Sequence, residues 1–234
     1  MKNDNSINGC IKESGSSTQG GQTMVKNAVD HTKYLENGRK QLARGEIVSV
    51  LFTGVGGQGI ILTTTVLAKA VMLAGFDVKV SEVHGMAQRG GSVVGSVRFG
   101  KKVYSPIIDK ADFIIALEKL EAARYLEMLK PDGFLIINDF EVYPVSIYLS
   151  GKDYPADILS RISKVTSNYK LVEATDIASK LKEIRASNMV LIGSLSRCLP
   201  IGRQYWIESI KGCVPERALK INIDAFNKGR EILK

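Results

Sequence analysis

The chain is poor in the side chains that hold metal centres and disulfides. Its 234 residues include three cysteines and two histidines. Cys10, Cys198 and Cys213 are far apart in the sequence, and no two of them have the Cys-x-x-Cys spacing that clusters and zinc sites use. This pattern argues against a disulfide framework, and against a thiolate-ligated zinc or iron–sulfur centre held by this chain alone. We expect free, buried thiols in a reducing cytoplasm.

Long apolar runs are also missing. No segment approaches the roughly 18 to 20 consecutive apolar residues that cross a bilayer, and no cleavable signal pattern opens the sequence. The hydrophobic fraction of 44% is nevertheless enough for a sizeable core. The sequence therefore predicts a cytoplasmic protein with no membrane partner.

Blocks of basic residues are absent, although the net charge is +8. Lysines and arginines are spread along the chain, do not interleave with aromatic residues and form no known nucleic-acid motif. We therefore expect no nucleic-acid partner. A basic surface fits equally well an acidic subunit, an acidic carrier protein or a phosphorylated small molecule.

The first 46 residues lack a regular apolar pattern. Residues 1–24 are rich in Ser, Gly, Asn, Gln and Thr, a composition that predicts disorder because it buries too little apolar surface. Residues 25–46 are polar with sparse apolar positions, which allows a short helix. We interpret residues 1–46 as a disordered or weakly helical extension and residues 47–234 as the folded domain.

Strand and helix patterns alternate from residue 47 onward. Alternation of this kind predicts an α/β fold of Rossmann type: a mostly parallel sheet with helices on both faces. A β-hairpin is expected where Gly100, Lys101 and Lys102 turn into Val103 and Tyr104, and the last third of the chain predicts a helical tail. The predicted strands cover residues 47–53, 77–81, 92–99, 111–117, 134–138 and 170–173. The predicted helices cover residues 60–74, 118–129, 156–163, 176–184, 188–198, 204–210 and 216–233.

A glycine-rich turn joins the first predicted strand to the first predicted helix of the domain. It matches the G-x-G-x-x-G pattern, in which a helix N-terminus offers free N–H groups and missing side chains let a phosphate or another backbone approach. Three interpretations stay open: a structural tight turn, a phosphate contact, or a nicotinamide or flavin site. Glu82 is the only candidate for a ribose-binding acid, and it comes slightly late in the sequence. The candidate residues of the turn are Gly54, Gly56, Gly57, Gln58 and Gly59.

A polar loop follows the second predicted strand. Such loops at the carboxyl ends of strands are where ligands and partner chains meet α/β sheets. His84 beside Glu82 forms a possible carboxylate–imidazole pair, and Arg89 before two glycines suits recognition of a carboxylate or phosphate. The alternative is a loop packed against a partner chain. We assign no catalytic residue and no metal ligand here. The candidate contact residues are Glu82, His84, Gly85, Gln88, Arg89, Gly90, Gly91 and Ser92.

Together the turn and the loop resemble the gamma domain of the 2-oxoacid:ferredoxin oxidoreductases. The likeness is greatest to the branch that forms the small (beta) subunit of indolepyruvate:ferredoxin oxidoreductase, and it covers residues 47–233. The motifs that carry it are residues 54–60 and 81–93, Val97-Arg98-Phe99-Gly100 with Tyr104-Ser105-Pro106, Ala111-Asp112, Leu117-Glu118, Glu121-Ala122, Arg124-Tyr125, residues 129–133, Asn188, Gly193, Asn222, Ala225-Phe226 and Gly229.

The resemblance implies a subunit of a complex that converts a 2-oxoacid to acyl-coenzyme A and reduces ferredoxin, as in anaerobic metabolism. Thiamine diphosphate, magnesium and 4Fe–4S clusters perform the chemistry in that family, and other, larger subunits hold them. This chain would complete the assembly and line the route of coenzyme A or substrate, without activity of its own. The rival interpretations are a free-standing dinucleotide-binding oxidoreductase and an adaptor with no enzymatic partner.

Overall fold

One six-stranded sheet forms the centre of the protein. The computed structural model describes residues 31–82, 91–142 and 153–233. Within them the strands stand in the order β2-β3-β1-β4-β5-β6. Their bounds are β1 Val48–Val55, β2 Asp77–Glu82, β3 Ser92–Gly100, β4 Ala111–Ala116, β5 Leu129–Asn138 and β6 Tyr169–Val172.

The strand directions bring most strand ends to one edge of the sheet, which we call the carboxyl edge. β1, β4, β5 and β6 run parallel to one another, and β3 runs antiparallel to both of its neighbours, β1 and β2. The carboxyl ends of β1, β2, β4, β5 and β6 therefore meet at the same edge, together with the amino end of β3. The predicted mostly parallel α/β sheet is confirmed.

Eight α-helices cover the sheet in the described part of the chain. Apolar side chains of α2, α5, α6, α7 and α8 pack on one face, and those of α3 and α4 pack on the other. None of these helices is long and apolar enough to cross a membrane. Their bounds are α1 Thr32–Ala43, α2 Ile60–Leu73, α3 Lys119–Arg124, α4 Ile158–Val165, α5 Ala174–Lys180, α6 Ser187–Leu195, α7 Arg203–Lys211 and α8 Glu216–Ile232.

The prediction of a hairpin after Gly100 is wrong. Residues 101–110 contain no strand. Arg98 Nη1 on β3 donates to the carbonyls of Ser105 and Ile107, at 2.8 Å each, and the Val103 amide donates to Asp77 Oδ2 at 2.8 Å. Side chains thus satisfy the polar backbone groups that a second hairpin strand would have paired, and the segment follows β3 without joining the sheet.

β5 begins earlier than the sequence predicts. It starts at Leu129 and passes through Pro131, where the sequence predicts a break. The register shifts between Ala111 and Phe113 of β4, which pair with Leu129 and Phe134. A bulge of this kind accommodates a proline that cannot donate to the ladder. The predicted helix over residues 118–129 is correspondingly shorter, because α3 ends at Arg124 and a 3₁₀ turn follows at Leu126–Met128.

Helix α1, from the sequence before residue 47, packs onto the sheet. The Tyr34 ring stacks on Phe134 of β5 with 4.3 Å between centroids. Gln41 Nε2 donates to Asp112 Oδ1 at 2.9 Å, and Lys130 Nζ lies 2.7 Å from the same carboxylate oxygen. The boundary between an extension and a folded domain at residue 46 stays a prediction. Residues 1–30 lie outside the described residues.

Two glycines let α6 and α8 cross in close contact. A Cβ added to Gly193 would lie 2.1 Å from the carbonyl oxygen of Phe226, and one added to Gly229 would lie 1.9 Å from that of Val190. Ser194 Oγ donates to the Gly229 carbonyl at 3.1 Å across the same crossing. No side chain fits between these backbones, so both positions require glycine.

We predict that Gly229→Ala destabilises the protein by about 2 to 3 kcal/mol, because overpacking of a tight core costs that much. Thermal unfolding of the purified chain measures the loss. Gly212→Ala is the matched control, because Gly212 has φ −82° and its added Cβ would come no closer than 3.6 Å to another atom. Equal melting temperatures for the two variants would contradict the role of the crossing.

Candidate functional site

The glycine turn is closed by one of its own side chains. Gln58 Oε1 accepts from the Val55 amide at 2.7 Å, and Gln58 Nε2 donates to the Leu117 carbonyl at 3.2 Å. The amide of Gln58 thus joins the end of β1 to the end of β4. This half-buried bridge fixes the spacing of two neighbouring strand ends at the carboxyl edge.

The structure explains why this turn consists of glycines. A Cβ on Gly54 would lie 2.7 Å from Gln58 Oε1. Gly57 and Gly59 have φ of +102° and +87°, the left-handed region that side chains avoid. The Gly56 amide donates to the Gly91 carbonyl at 2.8 Å. Close packing alone therefore accounts for the pattern, which favours the tight-turn interpretation.

A buried amide stands beside the turn at the start of α2. Asn188 on α6 is 2% exposed, and a Cβ on Gly59 would lie 2.4 Å from its Nδ2 atom. Among the described residues Asn188 Oδ1 has no hydrogen-bond partner. Buried polar atoms are nearly always paired, so Asn188 marks this end of α2 as a place where a polar group from outside the described residues would be accommodated.

Glu121 is the hydrogen-bonding centre of the edge. Its carboxylate is 1% exposed. Oε2 accepts from the Ser92 hydroxyl at the start of β3 and from Thr53 Oγ1 of β1, the latter at 3.4 Å, while Arg124 Nε donates to Oε1 at 3.0 Å. Tyr125 OH lies 3.3 Å from Ser92 Oγ. One carboxylate therefore ties together β1, β3 and α3, and its charge is paired as a buried charge must be.

Glu118 caps α3 and binds a tyrosine from the segment before α4. It is fully buried, and it accepts from the Glu121 amide at 2.9 Å and from the Tyr154 hydroxyl. Tyr154 OH in turn accepts from the Leu120 amide at 3.0 Å. Burial raises the pKa of the Glu118 carboxyl and also that of the Tyr154 phenol. Glu118 is thus poised to take up a proton above the usual carboxyl range.

The described part of the polar loop is anchored at both of its ends. Thr64 Oγ1 of α2 donates to the Glu82 carboxylate at the end of β2. Gly91 accepts from Gly56, and Ser92 donates to Glu121. The structure thus brings Glu82, Gly91 and Ser92 to the edge that carries the glycine turn.

The remaining loop candidates lie outside the described residues. They are His84, Gly85, Gln88, Arg89 and Gly90. Their roles stay predictions, and so does a phosphate contact at the glycine turn.

Several residues of the site were not predicted from the sequence. Glu118, Glu121 and Asn188 were noted as parts of the resemblance without a role, and Thr53 and Tyr154 were not noted. One signal was present: Glu118 follows a continuous apolar strand and precedes a helix, which is where capping acids stand. Nothing in the sequence indicates that Glu121 reaches Ser92.

The described residues do not offer a metal site. They contain no group of three or more His, Cys, Asp or Glu side chains placed to hold a metal ion. Cys198 is buried and its thiol pKa is raised by that burial to about 12, whereas Cys213 is half-buried. A thiol that resists ionisation is a poor cluster ligand, because metals bind the thiolate.

Comparison with known proteins decides the family. The model for pyruvate ferredoxin/flavodoxin oxidoreductases matches residues 49–232. The chain belongs to this family. It is 36% identical over 193 residues to indolepyruvate oxidoreductase subunit IorB of Pyrococcus horikoshii, covering 80% of this chain and 96% of that one. It is also 36% identical over 188 residues to IorB of Archaeoglobus fulgidus, covering 78% of this chain and 93% of that one.

Solved structures share the fold of this family member. A gamma subunit of a keto/oxoacid ferredoxin oxidoreductase from Geobacter sulfurreducens aligns with TM-score 0.59 and 22% identity, over 79% of this chain and 95% of that chain. The 2-oxoglutarate:ferredoxin oxidoreductase of Magnetococcus marinus aligns with TM-score 0.64 and 23% identity, over 80% of this chain and 31% of the longer chain. The same fold thus occurs both as a separate subunit and within a longer polypeptide.

The raised pKa of Glu118 predicts a pH-dependent stability. Between the ordinary carboxyl value of 4.5 and the raised folded value, the folded state binds more protons than the unfolded state. Stability therefore falls as pH rises through that range. We predict that Glu118→Gln removes this fall, which melting temperatures of both proteins measured from acidic to neutral pH would show. An unchanged pH profile in the variant would contradict the assignment.

Proposed function

We propose that this chain is the small subunit of a ferredoxin-dependent 2-oxoacid oxidoreductase whose substrate is indolepyruvate or another aryl pyruvate. The observation that carries the proposal is the match to relatives named as indolepyruvate oxidoreductase subunits, along nearly their whole length. The complex would convert the 2-oxoacid and coenzyme A to acyl-coenzyme A and carbon dioxide. The two electrons released would reduce two ferredoxins, because each iron–sulfur carrier accepts one electron at a time.

The reactive groups of the complex would belong to its larger subunits. Thiamine diphosphate with magnesium and 4Fe–4S clusters supply the carbanion and electron-transfer chemistry of such enzymes. The described residues of this chain do not fit a cluster, since they bring no set of ligands together and the buried Cys198 thiol resists ionisation. We therefore route no step through a cofactor held by this chain.

The role proposed for this chain is to present the carboxyl edge of its sheet to the partner subunit and to coenzyme A. Glu82 and Gly91 hold the ends of the polar loop beside the glycine turn. A guanidinium at Arg89 would bind a carboxylate or phosphate with two parallel hydrogen bonds. The start of α2 would favour the negative charge of a coenzyme A phosphate.

The geometry of the turn disfavours a free-standing dinucleotide-binding enzyme. Gln58 fills the space beside Gly54, and the Glu82 carboxylate, the only candidate for a ribose contact, accepts a hydrogen bond from Thr64. A dinucleotide would have to displace both interactions.

We predict that Arg89→Ala leaves the chain folded but weakens assembly or turnover of the complex by about ten- to a hundredfold, because one charge-assisted hydrogen bond contributes roughly 1.5 to 3 kcal/mol. The chain is co-expressed with its larger subunit. Size-exclusion chromatography then reports assembly, and steady-state kinetics give kcat and the KM for coenzyme A.

Arg161→Ala is the matched control, because Arg161 lies on α4 and its charge is exposed. A raised KM for coenzyme A in the Arg89 variant alone would place the guanidinium at the ligand, and loss of assembly would place it at the subunit contact. Full activity and normal assembly of the Arg89 variant would contradict the assignment.

A further inference from the structure

Three arginines lie along the last turns of α8, at the end of α6 that is remote from the glycine turn. Arg230 Nη1 donates to Ser196 Oγ at 2.7 Å, Arg197 Nε donates to the Leu233 carbonyl at 3.0 Å, and Arg203 Nη2 donates to Asn227 Oδ1 at 2.9 Å. Each guanidinium is thus fixed by a neutral acceptor.

Within the described part of the chain, no carboxylate forms an ion pair with the three guanidinium groups of this arginine row. The ion pairs found in residues 31–82, 91–142 and 153–233 involve none of the three. Arg230 also lies 5.8 Å above the Phe226 ring, another neutral contact. Burial and the neighbouring charges of Arg197 and Arg203 lower the pKa of Arg230, although arginine stays charged at physiological pH. Three positive charges held together in this way favour the binding of an anion.

The spacing of the row indicates what kind of anion fits it. The row contacts Asn227 and Arg230 of α8 and Leu233, which follows the last residue of that helix. Six residues separate Asn227 from Leu233, about 9 Å at about 1.5 Å per residue of helix. A single phosphate is too small to span that length. An extended peptide places side chains of one face about 6.6 Å apart, so two carboxylates of an acidic segment match the row.

The row is also distinct from the candidate functional site. Asn188, beside the glycine turn, stands near the start of α6, and Arg197 follows the end of that helix. The nine residues of α6 separate the two by about 13 Å. Pro200, three residues beyond Arg197, lies 3.6 Å from the Cβ position of Gly38 on α1, so the row adjoins the helix that precedes the matched family region.

We propose that the arginine row is a docking surface for an acidic protein segment, whose carboxylates bind to Arg197, Arg203 and Arg230. Guanidinium groups bind carboxylates in a bidentate geometry, and fixing them beforehand reduces the entropy lost on binding. The Phe226 ring, over which Arg230 lies, and the neighbouring Trp206 ring are buried and offer no platform for nucleic-acid bases.

The experiment uses the full chain and a fluorescein-labelled hexaglutamate peptide, with binding followed by fluorescence anisotropy at about 30 mM and about 200 mM salt, between which charge screening changes strongly. Wild-type chain is expected to bind the peptide, and more weakly at the higher salt. Arg203→Glu is expected to weaken binding about tenfold, because reversal replaces attraction by repulsion. The Arg203 side chain is exposed, and its only hydrogen bond among those described is to Asn227. Folding is therefore expected to persist, and circular dichroism checks it.

Lys164→Glu is the matched control, since it makes the same charge change on α4, on the other face of the sheet. A double variant, Arg203→Gln with Arg230→Gln, is expected to lose the remaining affinity. No binding by the wild-type chain, or equal weakening by Arg203→Glu and Lys164→Glu, would overturn the proposal. Tighter binding of a 12-nucleotide DNA strand than of the peptide would overturn it too, and would assign the row to nucleic acid.

Discussion

The pairing of the buried Glu121 carboxylate is the interaction on which the carboxyl edge of the sheet depends. A charge withdrawn from water is tolerated only when its lone pairs are satisfied, and here the donors come from Ser92, Thr53 and Arg124. Each donor stands on a different element, β3, β1 or α3. The edge therefore has one arrangement in which this charge is paired, and that arrangement brings the start of β3 beside the glycine turn.

Antiparallel insertion of β3 gives the edge its shape. In a fully parallel sheet the carboxyl ends alone would meet there. Because β3 runs the other way, Ser92 pairs with Val55 in the register, and the loop that leads into it begins and ends at the same edge as the glycine turn. Gln58 and Asn188 then fill the space around the turn. The glycines consequently serve close packing first, and any approach of a ligand phosphate adds to that role.

Most of the fold could be predicted from the sequence because local patterns determine it. Continuous apolar runs indicate strands buried on both faces, and glycine or proline marks both ends of α2 and α7 and the start of α8. The hairpin after Gly100 could not be predicted correctly, because the alternative depends on side chains that bind backbone groups: Arg98 binds two carbonyls, and Asp77 binds the amide of Val103, 26 residues away. The strand through Pro131 was missed for a similar reason: a bulge is specified by the neighbouring strand.

The site was less predictable than the fold. The glycine turn and the loop could be selected from their composition alone. The hydrogen bonds of Glu121 with Ser92 and Thr53, and that of Glu118 with Tyr154, join residues 29 to 68 positions apart, and no short-range pattern carries such information. Asn188 beside Gly59 is a contact between two helices and is equally invisible in the sequence. Family resemblance pointed to these residues without giving them a physical role.

We infer that this chain contributes shape and contact surface while its neighbours carry the reactive groups. The most direct test is to purify the chain alone and together with its larger subunit, and to measure thiamine diphosphate, iron and indolepyruvate-dependent reduction of ferredoxin in both. We expect all three in the complex and none in the chain alone. Turnover by the isolated chain, or a stoichiometric redox group bound to it, would contradict this division of roles.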